Sequence, residues 1–261
     1  MLIELTDKTA LVTGSTLGIG YAVAAGLHES GATVIVNGRS QERVDEAVER
    51  LGGDERVHGV AADVGTAEGC QTLIAAEPDV DILINNAGVF MPQPVFEIPD
   101  EEWERLFTVN VMSGVRLARH YVPRMVDRKW GRVVFVSSES ALHIPPEMVH
   151  YGTTKLAQLG VGRGMAESVA GSGVTVNSIL PGPTHSEGLE VFLGQMVGNG
   201  ASSIQEAGQL LVERERPTSL IGRLASTEEV ANLVVYLSSE QSSATTGAAL
   251  RVDGGVVRAV A

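Results

Sequence analysis

Tyr151 and Lys155 stand four residues apart, and Ser138 stands thirteen residues before Tyr151. On a helix, positions i and i+4 project from one face. An ammonium beside a phenol favours the phenolate, which would draw the tyrosine from its reference of about 10 toward neutrality. A phenol tuned in that way exchanges protons near pH 7, the task of a general acid–base. Ser138 follows Val133-Val134-Phe135-Val136, a run that reads as a buried strand. A hydroxyl at the C-terminal end of that strand could hold a substrate oxygen next to the tyrosine. A Tyr–Lys pair at this spacing is more often a plain surface pair, so the surrounding chain decides its meaning.

The elements that would position these residues begin with Thr9-Ala10-Leu11-Val12-Thr13, a short apolar strand. Gly14-Ser15-Thr16-Leu17-Gly18-Ile19-Gly20 follows at once, then an alanine-rich helical stretch from Tyr21 to Ser30. Strand, glycine loop and helix form the context that a phosphate-binding turn requires. The helix N-terminus there offers N–H donors and a positive dipole end. The spacing is GxxxGxG, and the loop alone leaves a ligand site and a tight turn equally open. The next strand, Ala32 to Val36, runs into Asn37-Gly38-Arg39-Ser40. NAD-preferring proteins place a carboxylate here for the ribose 2′-hydroxyl. This chain offers Arg39, whose guanidinium suits a 2′-phosphate. NADP(H) is therefore the expected cofactor, with NAD(H) an open alternative.

Further strands are read at 56–62, 80–84, 133–136, 174–179 and 248–252. Helical patterns lie between them, including a long one over 100–125 with Asn110 in its middle. Strand–helix alternation implies right-handed crossovers and a parallel sheet. The expected fold is α/β: one doubly wound Rossmann-type domain over 1–261, with about seven strands and helices on both faces. Gly14, Asp63, Asn85, Ser138 and Pro181 all follow strands, so they fall on one edge of that sheet. The segment 185–217 is rich in Gly and Ser with amphipathic pieces, and reads as a helical, mobile lid over the site.

Composition narrows the function classes. Thirty-two acidic residues against 19 basic ones give a net charge of −13, which disfavours nucleic acid as the main partner. No apolar run of about 18 or more residues could span a membrane. The N-terminal residues do not read as a signal peptide. One cysteine, Cys70, precludes an internal disulfide and suits a reducing, cytoplasmic setting. No His/Cys/Asp cluster has metal-ligand spacing, so no metal is expected.

Taken together, these motifs resemble the short-chain dehydrogenase/reductase family in its single-domain branch. The residues carrying the resemblance are Thr13 to Gly20, Asn85-Asn86-Ala87-Gly88, Asn110, Ser138, Tyr151-Gly152-Thr153-Thr154-Lys155 and Pro181-Gly182. The resemblance implies a nicotinamide-dependent enzyme interconverting carbonyls and alcohols. By it, Tyr151 is the acid–base and Lys155 lowers its pKa and binds the nicotinamide ribose. Ser138 holds the substrate oxygen, and Asn110 fixes a water in a proton relay. Also by resemblance, Gly14, Thr16, Gly18, Ile19, Gly20, Arg39, Asp63, Val64, Asn86, Ala87, Gly88, Pro181, Gly182 and Thr184 join Tyr151 and Lys155 around the cofactor. A homotetramer or homodimer is implied. Two departures stand out: a shortened stretch between Asp63 and Asn85, and Thr154 where a serine is commoner.

The substrate is less determined. Ser138, Glu139, Ser140, His143, Ile144, Met148, His150 and Tyr151 are expected to face it. Similarity to 3-oxoacyl-[acyl-carrier-protein] reductases makes a 3-oxoacyl thioester one alternative. The basic cluster Arg128, Lys129 and Arg132 does not support it, because it lies at the start of strand five, on the opposite sheet edge. A generic small-molecule carbonyl or alcohol is therefore preferred. A non-catalytic NADP-binding regulator is the alternative of another class, and the intact Asn110, Ser138, Tyr151 and Lys155 set argues against it.

Overall fold

Runs of Val, Ile, Leu and Ala form the seven strands, and most bury both faces. The computed structural model describes residues 2–196 and 202–260. The strands are β1 (Thr9–Val12), β2 (Thr33–Gly38), β3 (Val57–Ala61), β4 (Ile82–Asn85), β5 (Gly131–Val136), β6 (Val174–Pro181) and β7 (Ala249–Val252). They pair in parallel throughout, in the order β3-β2-β1-β4-β5-β6-β7. Every residue of β4, β5 and β6 is buried. β4 and β5 accordingly carry the apolar runs Ile82-Leu83-Ile84 and Val133-Val134-Phe135-Val136, as a parallel sheet covered on both faces requires, while β6 interleaves buried Thr175, Asn177 and Ser178 with its apolar residues.

The pleat sorts alternate side chains into two cores. Ala10, Val12, Val34, Val36, Ile82, Ile84, Val134 and Val136 pack against α1 (Gly18–Glu29), α2 (Gln41–Arg50) and α9 (Thr227–Leu237). Leu11, Ile35, Leu83, Val133 and Phe135 point the other way, toward α3 (Ala67–Ala76), α5 (Ser113–Asp127) and α6 (Val149–Ser168). Cys70 is buried in α3 and its Sγ–H donates to the Val64 carbonyl at 3.2 Å, a structural position. The order of strands reverses at β1 and β4, so the loops after these two strands part and leave a crevice at their C-terminal ends.

The helix expected over 100–125 is not continuous. It divides into α4 (Asp100–Phe107), a π-helical turn at Thr108–Met112, and α5. The cause is Asn110, whose side chain bonds the chain near β4 rather than its own helix. Its Oδ1 accepts from the Val89 N–H at 2.8 Å, and its Nδ2 donates to the Val89 carbonyl and the Thr154 hydroxyl, each at 3.0 Å. The wider turn rotates Asn110 inward to 1 % exposure.

The segment expected as a lid leaves the sheet at Thr184 and returns at Ala225, where the two strands touch in a single parallel bridge. It holds α7 (Glu187–Met196) and α8 (Ile204–Glu215), joined by an apolar patch around Leu193 and Ala207. Residues 197–201 of that expected lid lie outside the described residues. Among the described residues no helix is long and apolar enough to cross a membrane.

Candidate active site

Ser138 lies just beyond β5 and caps a short turn at Glu139–Ala141, its Oγ accepting from the Ser140 N–H at 3.1 Å. Two residues into α6, Tyr151 turns toward it, and Lys155 sits one turn further along the same face. The Lys155 Nζ is 5.5 Å from the centre of the Tyr151 ring and donates to the Val136 carbonyl at 2.9 Å. Ser137 fixes the helix against the strand, its Oγ donating to the Lys155 carbonyl at 2.8 Å. The Phe90 ring meets Tyr151 edge-on at 6.0 Å. Ser138, Tyr151 and Lys155 all open onto one cavity of about 530 Å³.

The electrostatics correct one expectation. Burial pushes the Tyr151 phenol up to about 12; the Ser138 hydrogen bond pulls it back in part, Glu139 raises it and Arg216 lowers it. Burial likewise pushes Lys155 down to about 8. Desolvation of the phenol therefore outweighs any gain from the ammonium, which is directed at a carbonyl of β5 rather than at the phenol oxygen. The phenol keeps its proton at neutral pH, the state suited to giving one up.

A second cavity of about 710 Å³ is lined by Gly14, Thr16, Arg39, Asp63, Val64, Asn86, Ala87 and Gly88. Asn86 and Gly88 line both cavities, so the two adjoin at the parting of the β1 and β4 loops. Thr13 ties these loops together: its hydroxyl donates to the Ile84 carbonyl at 3.3 Å and accepts from the N–H groups of Asn86 and Ala87 at 3.0 Å. Asn86 Nδ2 in turn donates to the carbonyls of Thr13 and Gly14 at 2.9 and 3.0 Å. Asp63 lies at the mouth of this cavity and its Oδ1 accepts from the Gly65 N–H at 3.0 Å.

Gly14 adopts φ +62°, a left-handed conformation that favours glycine. A Cβ at Gly20 would sit 2.3 Å from the Gly14 carbonyl oxygen. Gly18 and Gly20 line neither cavity; they shape the turn. Ile19, Pro181, Gly182 and Thr184 line the first cavity. Asn110 stands on neither wall and acts as the clamp described above, its own carbonyl accepting from Gln158 Nε2 at 2.6 Å.

The loop accommodates an anionic cofactor. A carboxylate oxygen of Glu187, from the first turn of α7, accepts from the backbone N–H of Gly18 at 2.9 Å. An anion thus already occupies the helix N-terminus that a pyrophosphate would use. Ser40, Arg43 and Arg105 stand beside Arg39 on the second cavity, three residues that sequence reasoning missed. Arg43 was legible in principle, since it sits one turn into the helix that Ser40 caps.

Among the residues expected at the substrate, Glu139, Ser140 and Met148 line the first cavity. His143 and Ile144 do not; both are exposed, because the turn after Ser138 directs them outward. His150 is buried away from the cavity under Trp103, ring centres 5.8 Å apart. Glu139 is neither solvated nor free: its Oε1 accepts from Arg216 Nε at 2.8 Å. Arg216 was not anticipated. It ends the charged run Glu213-Arg214-Glu215-Arg216, inside the segment that the sequence marks only as a lid. The basic cluster serves structure: Arg128 pairs with Asp79 at 3.0 Å and Arg132 is buried against the Ser239 carbonyl at 2.9 Å.

Comparison with known proteins agrees with this geometry. Residues 8–192 match the family model described as short chain dehydrogenase. The chain is 49 % identical to the uncharacterized oxidoreductase YvaG of Bacillus subtilis, over 263 residues and the full length of both. It is 30 % identical over 262 residues to the 3-oxoacyl-[acyl-carrier-protein] reductase FabG of Aquifex aeolicus, covering 98 % of this chain and 100 % of that one. The crystal structure of L-sorbose reductase from Gluconobacter frateurii, complexed with NADPH and L-sorbose, superposes with a TM-score of 0.93 at 31 % identity, covering both chains completely.

Proposed function

The chain belongs to the short-chain dehydrogenase/reductase family, oxidoreductases of alcohol and carbonyl groups, and we propose that it moves a hydride between NADP(H) and a carbonyl carbon or its secondary alcohol. The observation that carries this reading is the convergence of Ser138, Tyr151 and Lys155 on one cavity that adjoins an arginine-lined second one. When bound, the nicotinamide supplies the hydride chemistry. Tyr151 gives its proton to the oxygen that gains charge as the carbonyl is reduced, and Ser138 donates a hydrogen bond to the same oxygen. Lys155, charged below about 8, steadies the phenolate that Tyr151 becomes and offers its remaining N–H groups to the cofactor's ribose. In the oxidative direction Tyr151 takes the proton back.

Arg39 and Arg43 support NADP(H) over NAD(H), because two guanidiniums on the second cavity suit a 2′-phosphate. The NADPH complex of the L-sorbose reductase supports the same preference. Glu187 leaves the Gly18 N–H when the pyrophosphate takes its place. Asn110 holds the β4 loop and α6 at fixed separation, which keeps Lys155 in reach of the ribose. The segment 185–217 closes over the substrate as a lid, and the protein works as a homotetramer or homodimer in a reducing, cytoplasmic setting.

A second reading, reduction of 3-oxoacyl thioesters, has the FabG relative in its favour. Arg128 and Arg132, engaged at the far edge of the sheet, lend it no support. The test follows NADPH oxidation, with NADH in parallel, against simple ketones, keto-sugars and 3-oxoacyl thioesters. Turnover of any carbonyl with NADPH supports the proposal. No turnover with either cofactor contradicts it, and equal rates with NADH contradict the role of Arg39.

A further inference from the structure

We infer that Glu139 and Arg216 form a recognition pair for an uncharged ketone bearing hydroxyl groups beside its carbonyl, a keto-sugar or the corresponding polyol. The inference rests on the carbonyl–alcohol reading above and names the substrate class for that same cavity. Glu139 is the residue after Ser138 and lines the same cavity, so it stands on the wall beside an oxygen held by Ser138.

The carboxylate is half satisfied. Oε1 accepts from Arg216 Nε at 2.8 Å, while Oε2 is buried and, apart from the nearby Ser140 hydroxyl that helps hold the carboxyl down, meets no hydrogen-bond donor among the described residues. Glu139 is 3 % exposed and Arg216 8 % exposed, yet both line the cavity that holds Ser138 and Tyr151. A buried acceptor with no donor costs stability and calls for a reason. A substrate hydroxyl donating to Oε2 supplies one. Arg216 is also incompletely used: Nη1 donates to the Glu215 carbonyl at 2.8 Å, and Nη2 makes no hydrogen bond among the described residues. The pair thus leaves one carboxylate oxygen and one guanidinium nitrogen to spare, which matches hydroxyl groups, each able to give and receive.

Charge argues against an acidic substrate. Glu139, Glu147 and Glu215 stand on this cavity against Lys155 and Arg216. A carboxylate or a phosphate-bearing carrier would meet net repulsion, and the one guanidinium that could attract it is already paired. The walls beyond the pair are apolar, with Val89, Phe90, Met148, Leu189 and Leu211. Such walls suit the C–H faces of a short polyol. Arg216 caps α8 within the excursion that begins at Thr184, so the pair also joins the outer segment to the residue next to Ser138.

The test uses the purified full-length protein at saturating NADPH. It compares 1-hydroxy-2-butanone with 2-butanone, and ketohexoses with a 2-oxo acid and a 3-oxoacyl thioester. The wild type is expected to favour the hydroxyketone by about tenfold or more in kcat/KM, the scale of one hydrogen bond to a charged group. Glu139→Gln is expected to shrink that ratio severalfold. The double variant Glu139→Leu, Arg216→Met leaves no lone buried charge, and is expected to bring the ratio close to unity. Melting temperatures of both variants separate misfolding from lost recognition. A wild type without preference for the hydroxyketone overturns the inference, as does a preference for the acid or the thioester, or an unchanged ratio in the double variant. In each of those cases the carbonyl reductase reading stands. No NADPH oxidation with any carbonyl overturns both.

Discussion

Glu187 and Gly18, 169 residues apart in sequence, are joined by a carboxylate that accepts the Gly18 N–H at 2.9 Å. The first residue of α7 thereby occupies the anion position at the start of α1. On the proposed function, a cofactor pyrophosphate would compete with this carboxylate for one donor. Glu187→Gln removes the charge and is expected to tighten NADPH binding about two- to fivefold, the scale of an anion at a helix N-terminus. Fluorescence titration of the purified protein measures it, and weaker binding by the variant would contradict the competition.

Arg39 and Arg43 share the wall of the second cavity. Replacing both with alanine is expected to raise KM for NADPH about tenfold or more, while KM for NADH changes little, because only NADPH carries the phosphate that two guanidiniums recognise. A parallel rise for both cofactors would mean that the arginines support the fold rather than select the nucleotide.

The strands, their parallel pairing and the sheet edge bearing the site were legible because apolar runs and glycine loops alternate along the chain. The convergence of Ser138, Tyr151 and Lys155 on one cavity was legible from their spacing only together with the strand, glycine loop and helix pattern around them. What the sequence concealed depends on contacts distant along the chain. The π turn at Thr108–Met112 arises from the Asn110 bonds to Val89 and Thr154, which no helical pattern reveals. The Glu139–Arg216 pair spans 77 residues and draws on a segment that the sequence marks only as a lid. The sign of the Tyr151 shift was misjudged because adjacency to Lys155 was weighed without burial, and burial dominates. His143 was placed by proximity to Ser138 alone, whereas the intervening turn directs it outward.

Lys155 makes a prediction about stability. Burial lowers it from the 10.5 of a solvated lysine to about 8. Between these values the unfolded chain holds a proton that the folded chain has released, so stability rises with pH across that window. The depressed ammonium costs stability below about 8, and the cost disappears as pH climbs. Lys155→Met has no such group. Wild-type stability relative to this variant is expected to improve by about 3 kcal/mol between pH 8 and 10.5. Urea unfolding of both proteins across this range tests it, and a constant difference would contradict the burial argument.

Asn110 clamps two elements through three hydrogen bonds. Asn110→Leu removes the partner of the half-buried Val89 N–H and carbonyl and one of the two partners of the buried Thr154 hydroxyl. The expected loss is about 3 kcal/mol or more, read from denaturant midpoints, together with reduced turnover as Lys155 loses its setting. A loss below about 1 kcal/mol would show that the turn is held by other contacts.

Tyr151→Phe tests the central claim most directly. The variant keeps the ring against Phe90 and removes only the oxygen. With a carbonyl substrate that the wild type reduces, kcat is expected to fall by about 10²- to 10⁴-fold, the contribution of a positioned general acid, while the dissociation constant for NADPH stays near the wild-type value. Turnover close to wild type in the variant would contradict the assignment of Tyr151 as the proton donor.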